Sequence, residues 1–505
     1  MPSHGPTDVH DRRLRDQVFP PDWSNPRPAP RYNLVVLGGG TAGLVAAAGA
    51  AGLGARVALV ERRLLGGDCL NFGCVPSKAL LRAARAAAEV RSAPQFGVRT
   101  GGEAEVDFAA VMERLRRVRA DLAPNDSAAR FRQLGVDVFL GEGKFTSPSC
   151  IEVHGLELTF SRAVIATGAR PSLPAIPGLE SVSFLTAETL FDLRELPPRL
   201  VVLGAGPVGC EMAQAFARLG SRVTLIASKR GILPRDDPDA VRIIEAALIR
   251  DGVRVVSGRA TSSLRQGPGG ILLRLGSAEE HEEIEADRLL VAAGRTPNVD
   301  GLGLEAAGIQ TDETGIRVDD FLRTSHRRVY ACGDVCSRDR FTHAADFQAR
   351  LVLRNALFHG RARVSELIVP RCTYTSPELA HVGHDPVSAS AAGLSIDTFT
   401  QPFKHVDRAL LDGCAEGFVR VHVKRGTDRI IGATVVGPHA GDLVGELTLA
   451  LRANLGLGAI GSTIHPYPTL AEAIRRIGDL HARTRLTPRI QSWMNRWFRW
   501  QRGAG

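Results

Sequence analysis

Lysine is nearly missing from this chain of 505 residues. Five stand at Lys78, Lys144, Lys229, Lys404 and Lys424, which leaves 58 of the 63 basic residues as arginine. Against that background a single arginine says little and a lysine slightly more. Cysteine is also sparse, with eight in all (Cys69, Cys74, Cys150, Cys210, Cys332, Cys336, Cys372 and Cys414). So few in so long a chain exclude a secreted disulfide scaffold. A secretory apolar core is lacking as well: residues 1–30 are polar and proline-rich, with four acidic and four basic residues, and read as a flexible arm. The 22 charge-free residues from Leu34 to Ala55 include seven glycines, so a strand, turn and helix explain them better than a membrane span. These absences lead us to expect a cytoplasmic enzyme, with any membrane contact peripheral.

The overall composition is that of a folded protein. Apolar residues are 44% and charged residues 23%, which excludes a mostly disordered chain, and the length predicts about three domains. A net charge of +9 invites a nucleic-acid reading. Residues 475–505 alone hold eight arginines and one aspartate, however, so the rest of the chain is close to neutral. Nothing in that body asks for nucleic acid.

A repeat organises the first 300 residues. The stretch from Val35 to Glu61 recurs as Val201 to Ala227, with 13 of 27 aligned positions identical. Each copy reads as strand, G-x-G-x-x-G turn, alanine-rich helix and second strand. Gly38, Gly40 and Gly43 form the first turn, and Gly204, Gly206 and Gly209 the second. Such a turn brings backbone amides and a helix N-terminus to a pyrophosphate, which predicts two dinucleotide sites. At the end of the second strand, copy one carries Glu61 and copy two Ala227. A carboxylate there bonds a ribose diol and repels a 2′-phosphate. The first site therefore suits FAD. The second offers Ser228, Lys229 and Arg230, and leans towards NADPH over NADH.

Eight residues beyond Glu61 lies Cys69-Leu-Asn-Phe-Gly-Cys74-Val-Pro76-Ser-Lys78. Pro76 and the alanine-rich run after it mark a helix start, which would place Cys74 at the positive helix end. Two thiols at this spacing can close as a disulfide or grip a soft metal ion. A structural metal site is not expected, because zinc wants four ligands and no second close pair lies beside this one. Buried, inert thiols are the blander alternative. That same reading is the stronger one for Cys332 and Cys336.

The segment Gly66-Gly-Asp-Cys-Leu-Asn-Phe-Gly-Cys-Val-Pro-Ser-Lys78 resembles the redox motif of the flavin-dependent pyridine nucleotide-disulfide oxidoreductases. The family includes glutathione reductase, dihydrolipoyl dehydrogenase and mercuric reductase. The resemblance runs from about residue 31 to residue 485. It takes in Ala166-Thr167-Gly168, Val291-Ala-Ala-Gly294-Arg-Thr-Pro-Asn298, Gly333-Asp334 and Thr342-His343-Ala344. It implies an α/β fold with two Rossmann-like dinucleotide-binding domains and an α+β C-terminal dimerisation domain. The expected boundaries are 31–158 and 291–365 for FAD, 159–290 for NAD(P)H, 366–485 for dimerisation and 486–505 for a basic tail.

The resemblance also implies roles. FAD would lie against Gly38, Gly40, Gly43, Glu61, Lys78, Thr167, Gly168, Gly333, Asp334 and Ala344. NAD(P)H would lie against Gly204, Gly206, Gly209, Ser228, Lys229, Arg230 and Gly294. Hydride would pass from NADPH to the flavin and on to a Cys69–Cys74 disulfide, with Cys74 next to the flavin and Cys69 engaging substrate. Lys78 and Glu211 match an ion pair beside the ring. Pro207 stands where glutathione reductase-like members carry a gating tyrosine. A homodimer sharing its active site between subunits is implied.

One departure bears on the substrate. Disulfide-reducing members carry His-Pro-Thr-x-x-Glu, whereas this chain reads His465-Pro-Tyr467-Pro-Thr469-Leu-Ala-Glu472. Tyrosine, with a pKa of about 10, is a poor base at neutral pH, although it can donate a hydrogen bond or touch a metal. Loss of that histidine is a mercuric reductase-like trait. No Met-Thr-Cys-x-x-Cys segment precedes the core and no vicinal cysteines stand near residue 505, so metal would be taken directly on Cys69 and Cys74. The expected function is reduction of a soft metal ion or another electrophile. The alternative is a disulfide reductase in which Tyr467 or His465 replaces the usual base.

The tail reads separately. Thr487-Pro488 has the form of a cap and first-turn proline, and Ile490, Trp493, Met494, Trp497 and Phe498 follow helical spacing with arginines between them. It fits an interfacial helix on anionic lipid, or a helix docked on its own dimer.

Overall fold

The computed structural model describes residues 8–99, 101, 105–277 and 280–503. The chain divides into two compact units, Met1–Ile232 with Asp251–Leu367, and Leu233–Arg250 with Ile368–Gly505.

The two copies of the repeat build two sheets whose parallel strands share one order, the first extended by two antiparallel strands, Cys150–Val153 and Gly143–Ser147. In the first, Val136–Leu140, Val57–Glu61, Tyr32–Leu37 and Leu156–Ile165 lie side by side, and Val329–Ala331 pairs with the last of them. In the second, Arg254–Val256, Arg222–Ile226, Arg199–Leu203 and Arg288–Val291 repeat that order, and Phe184–Leu185 closes the far edge. Leu34, Val35, Val36, Val57, Ala58 and Leu59 have no exposed surface, as strands covered on both faces require. In both sheets the chain runs outward over two strands from the repeat's first strand and then crosses to that strand's other side. Sheets of this kind bind ligands at the strand ends beside that crossing.

Glycine permits the close packing there. A Cβ at Gly43 would lie 1.7 Å from the Gly38 carbonyl oxygen, and one at Gly209 would lie 1.8 Å from that of Gly204. Helices Thr41–Gly52 and Pro207–Leu219 thus seat directly on their strands.

Residues read as a flexible arm are in part ordered. Val9–Val18 is a helix capped by Asp8, and Leu14 and Val18 are buried in the first core. Asp8 pairs with Arg116, and Asp11 with Arg119 at 3.0 Å. Those arginines are themselves buried, on helix Phe108–Leu122. Val18 accepts from the Leu65 amide at 3.1 Å, and Arg119 Nη1 donates to the Asn71 carbonyl at 3.0 Å. The N-terminal helix is therefore tied to both ends of the loop that carries Cys69.

The second unit has a five-stranded antiparallel sheet, in the order Arg371–Thr373, Glu378–Gly383, Ile430–Gly437, Phe418–Lys424 and Ile396–Pro402. Helices Ala440–Arg452 and Glu472–Thr484 contribute Val444, Leu447, Ile474 and Ile477 to its core. Residues 233–250, assigned above to the nucleotide domain, belong with this unit. Arg420 binds Asp237 and Asp239 at 2.6 and 2.7 Å, and Arg250 binds Glu416 at 2.8 Å, which draws helix Pro238–Arg250 to the C-terminal sheet.

Candidate active site

Cys69 sits on the short helix Gly67–Asn71, and Cys74 is the first residue of helix Cys74–Ser92. The Asn71 side chain shapes the loop by donating to the carbonyls of Leu65 and Gly67, at 3.1 and 2.8 Å. Both thiols are free. Cys74 keeps an exposed face and Cys69 is half-buried. Cys74 Sγ lies 3.2 Å from Thr342 Oγ1, at the start of helix Thr342–Phe358.

This setting pulls the two thiols apart in acidity. Cys74 is held at about 6, first by a hydrogen bond from Cys69 and then by the Thr342 hydroxyl and the charge of Lys78. Desolvation and the Asp68 carboxylate oppose them. Cys69 is driven far up, chiefly by the same bond to Cys74 and then by burial. The two sulfurs thus hold one proton between them at neutral pH and titrate as a pair. A thiolate at a helix start is the nucleophile and the soft ligand.

Lys78 Nζ is 2.9 Å from Glu211 Oε2, joining helix Cys74–Ser92 to helix Pro207–Leu219. Lys78→Met removes one of the charges that lower Cys74, so the titration of the reduced enzyme's thiolate absorbance should move up from about 6. A shift of about one unit is the expected size, with the thiolate still appearing as pH rises. An unmoved midpoint would show that the lysine charge does not reach the sulfur.

The first glycine turn has the makings of an anion cradle. Gly40 caps helix Thr41–Gly52 with no side-chain hydrogen bond and no acidic residue in the first turn, so the leading amides are left for a ligand. Glu61 is buried. It accepts from the Gly39 and Arg63 amides, each at 2.6 Å, and burial raises its carboxyl against those two bonds. Gly206 caps helix Pro207–Leu219 in the same way, with Pro207 in its first turn. Ser228, Lys229 and Arg230 form an exposed turn after strand Arg222–Ile226, and Arg230 donates its amide to Ser228 Oγ at 3.2 Å. Thr167 Oγ1 donates to the Asn298 carbonyl at 2.8 Å, which joins the Ala166-Thr-Gly and Gly294-to-Asn298 segments.

Arg295 and Asp68 lie inside motifs of the family resemblance, which assigns neither of them a role. Arg295 bridges Asp68 at 2.8 Å and Asp334 at 3.3 Å, and burial raises both carboxyls against its charge. The contact to Asp334 is made by Arg295 Nε and that to Asp68 by Nη2, so one guanidinium ties two partly buried carboxylates. Gly333 donates its amide to Gln348 Oε1 at 2.8 Å, and Ala344 is buried in the next helix. An uncapped helix start and a buried carboxylate at a strand end suit a dinucleotide such as FAD. Cys332 and Cys336 are pushed up by burial, Cys332 to about 12, so neither is a thiolate at neutral pH.

Tyr467 and Glu472 lie in the second unit. The Tyr467 hydroxyl donates to Asp407 Oδ2 at 2.9 Å, and that bond raises its pKa further from neutrality. Arg476 Nη2 approaches Asp407 Oδ1 at 3.6 Å and Glu472 Oε1 at 3.0 Å. Glu472 is thus engaged by arginine rather than by an imidazole. His465 is tied elsewhere, to the Thr463 carbonyl at 3.0 Å and to Glu446 Oε1 at 2.9 Å. Asp407 and Arg476 had no motif to betray them.

Residues 32–349 match the model of the pyridine nucleotide-disulphide oxidoreductases, and residues 369–477 that family's dimerisation domain. The chain belongs to this family. It is a flavoprotein oxidoreductase, and FAD is the cofactor expected of it. A mercuric reductase of Streptomyces lividans is 36% identical over 450 residues, which is 88% of this chain and 95% of that protein. A dihydrolipoyl dehydrogenase of Bacillus subtilis is 34% identical over 463 residues, covering 88% and 97%. A Cu(II) complex of the HOCl-induced flavoprotein disulfide reductase RclA from Escherichia coli superposes with a TM-score of 0.79. It is 27% identical and covers 90% of this chain and all of that one. No helix among the described residues is long and apolar enough to cross a membrane.

Proposed function

We propose that this flavoenzyme passes electrons from NAD(P)H to the Cys69–Cys74 pair and from there to a soft metal ion or another electrophile, as mercuric reductases do. The observation that carries the reading is a lowered Cys74 thiol in a chain whose C-terminal motif holds Tyr467 and not histidine. Tyr467, held by Asp407, stands in the motif where disulfide-reducing members place a histidine. A thiol leaving group of a disulfide substrate needs a proton from a group that titrates near neutrality. A bound metal ion does not.

FAD, when bound, supplies two-electron chemistry between the nicotinamide and the protein disulfide. Gly38, Gly40, Gly43, Glu61, Thr167, Gly168, Gly333, Asp334 and Ala344 hold it, with Lys78 and Glu211 setting the charge nearby. Gly204, Gly206, Gly209 and Gly294 receive the nicotinamide dinucleotide. Ser228, Lys229 and Arg230 favour a 2′-phosphate where Ala227 leaves no carboxylate to repel it, so NADPH is the preferred donor. Cys69 takes the incoming ligand, and the Cys74 thiolate completes its coordination. Cys69 gives up its proton as its sulfur binds the ion, and oxidation of the two bound thiolates to a disulfide then releases two electrons. The electrons reduce Hg(II) to the metal and the proton passes to water. A homodimer brings Tyr467 and Glu472 of one subunit to the cysteines of the other.

The competing reading is a dihydrolipoyl dehydrogenase or glutathione reductase-type enzyme, favoured by the similar identity to such relatives. NADPH oxidation with Hg(II) or Cu(II), set against lipoamide, glutathione disulfide and quinones, separates the two. Metal-dependent turnover should exceed disulfide turnover, and Tyr467→His should raise the latter. Brisk lipoamide or glutathione turnover that Tyr467→His leaves unchanged would overturn the proposal.

A further inference from the structure

The end of the chain forms a structure that the redox reading does not use. Pro488–Gln501 is a helix capped by Thr487, and it lies beyond the last residue matched to the family, 477. At 3.6 residues per turn, Ile490, Trp493, Met494, Trp497, Phe498 and Trp500 fall within an arc of about 160°. In a helix packed on its own core that arc would be covered. Here Trp493 is 64% exposed, Trp500 70%, and Ile490, Trp497 and Phe498 each 43–44%. The three indoles stack along the stripe, with centroids 6.2 and 5.0 Å apart.

The rest of the circumference says what covers the stripe. Arg489, Arg496 and Arg499 occupy the opposite side, with Arg489 and Arg496 next to the tryptophan edge. None of them, nor Arg502, makes an ion pair among the described residues. From residue 480 to the end there are six arginines and no aspartate or glutamate. A second copy of the helix would bring cation to cation with nothing to neutralise it. A surface of anionic headgroups over acyl chain instead satisfies both faces, because indoles settle at the boundary and arginines reach the phosphates.

We propose that helix Pro488–Gln501 docks the enzyme on an anionic lipid surface, lying flat with its tryptophans in the interface. The docking is electrostatic and apolar at once, and it places the flavoenzyme at a membrane without any span.

The test is co-sedimentation of the full-length flavoenzyme with phosphatidylcholine vesicles, with or without phosphatidylglycerol. Binding should require phosphatidylglycerol and weaken as salt rises. Arg496→Glu with Arg499→Glu should lower the partition coefficient by about tenfold or more, since each basic residue contributes roughly fivefold. Trp493→Ala with Trp497→Ala should lower it comparably, with a blue-shifted indole emission lost. Turnover of a soluble acceptor should be unchanged in both, because neither pair is among the residues proposed to hold the cofactors or the acceptor. Equal pelleting of the intact enzyme and one ending at Arg485 would overturn the proposal. So would a truncation that dissociates the dimer without altering vesicle binding, which would make a second copy the occupant.

Discussion

Cys74→Ser is expected to lower acceptor reduction by roughly three orders of magnitude or more while leaving the protein folded. Serine fits because Cys74 keeps an exposed face and the Thr342 hydroxyl beside it can bond an alcohol as well as a thiol. What serine cannot supply is an anion near neutrality. The low-pH rise in thiolate absorbance, centred at about 6 in the parent, should disappear. Cys69→Ala should cost as much activity by a different route. Cys74 survives but loses the hydrogen bond that lowers it most, so its titration should move up rather than vanish. The two variants are alike in turnover and opposite in titration. If Cys69→Ala left the midpoint at about 6, the shared proton would not be what activates the pair.

What the sequence conveys about this site, and what it hides, follows from distance along the chain. The repeated strand-turn-helix predicts two nucleotide folds because each copy carries its own glycines, helix and second strand within 27 residues. The two sheets share one strand order accordingly. The redox segment is just as local. The helix Val9–Val18 is the opposite case: its composition is polar, and it is held by Arg116 and Arg119, about a hundred residues away. Asp407 reaches Tyr467 across 60 residues of chain. The arginine bias deepened the problem. Among 58 arginines nothing marks Arg119 or Arg476 as the ones that tie a loop or bind a motif glutamate, and Arg295, although inside a family motif, carries no sign that it joins Asp68 to Asp334. Residues 233–250 follow a nucleotide-domain strand in sequence, yet Arg420 and Glu416 claim them for the other unit.

Gly43→Ala and Gly40→Ala should separate what the glycine turn does for the fold from what it does for a ligand. At Gly43 the added methyl would sit 1.7 Å from the Gly38 carbonyl oxygen. That oxygen cannot retreat freely, because Gly38 holds φ at +109° and is itself pressed against the Ala166 carbonyl, 2.4 Å from where its own Cβ would be. Helix and strand must part, at a cost on the order of 3 kcal/mol or more. The expected result is a lower melting temperature, poor recovery and no bound flavin. Gly40 is different. Its φ of −79° suits alanine, and the nearest atom to an added Cβ is Gly67 Cα at an ordinary 3.8 Å. Gly40→Ala should therefore fold, and melt as the flavin-stripped parent does, yet lose FAD on desalting, because the methyl occupies the space through which a pyrophosphate approaches the helix amides. Flavin retained at the parental ratio in Gly40→Ala would mean that the dinucleotide does not lie against this helix. Melting well below the flavin-stripped parent would mean that this position serves packing rather than the ligand.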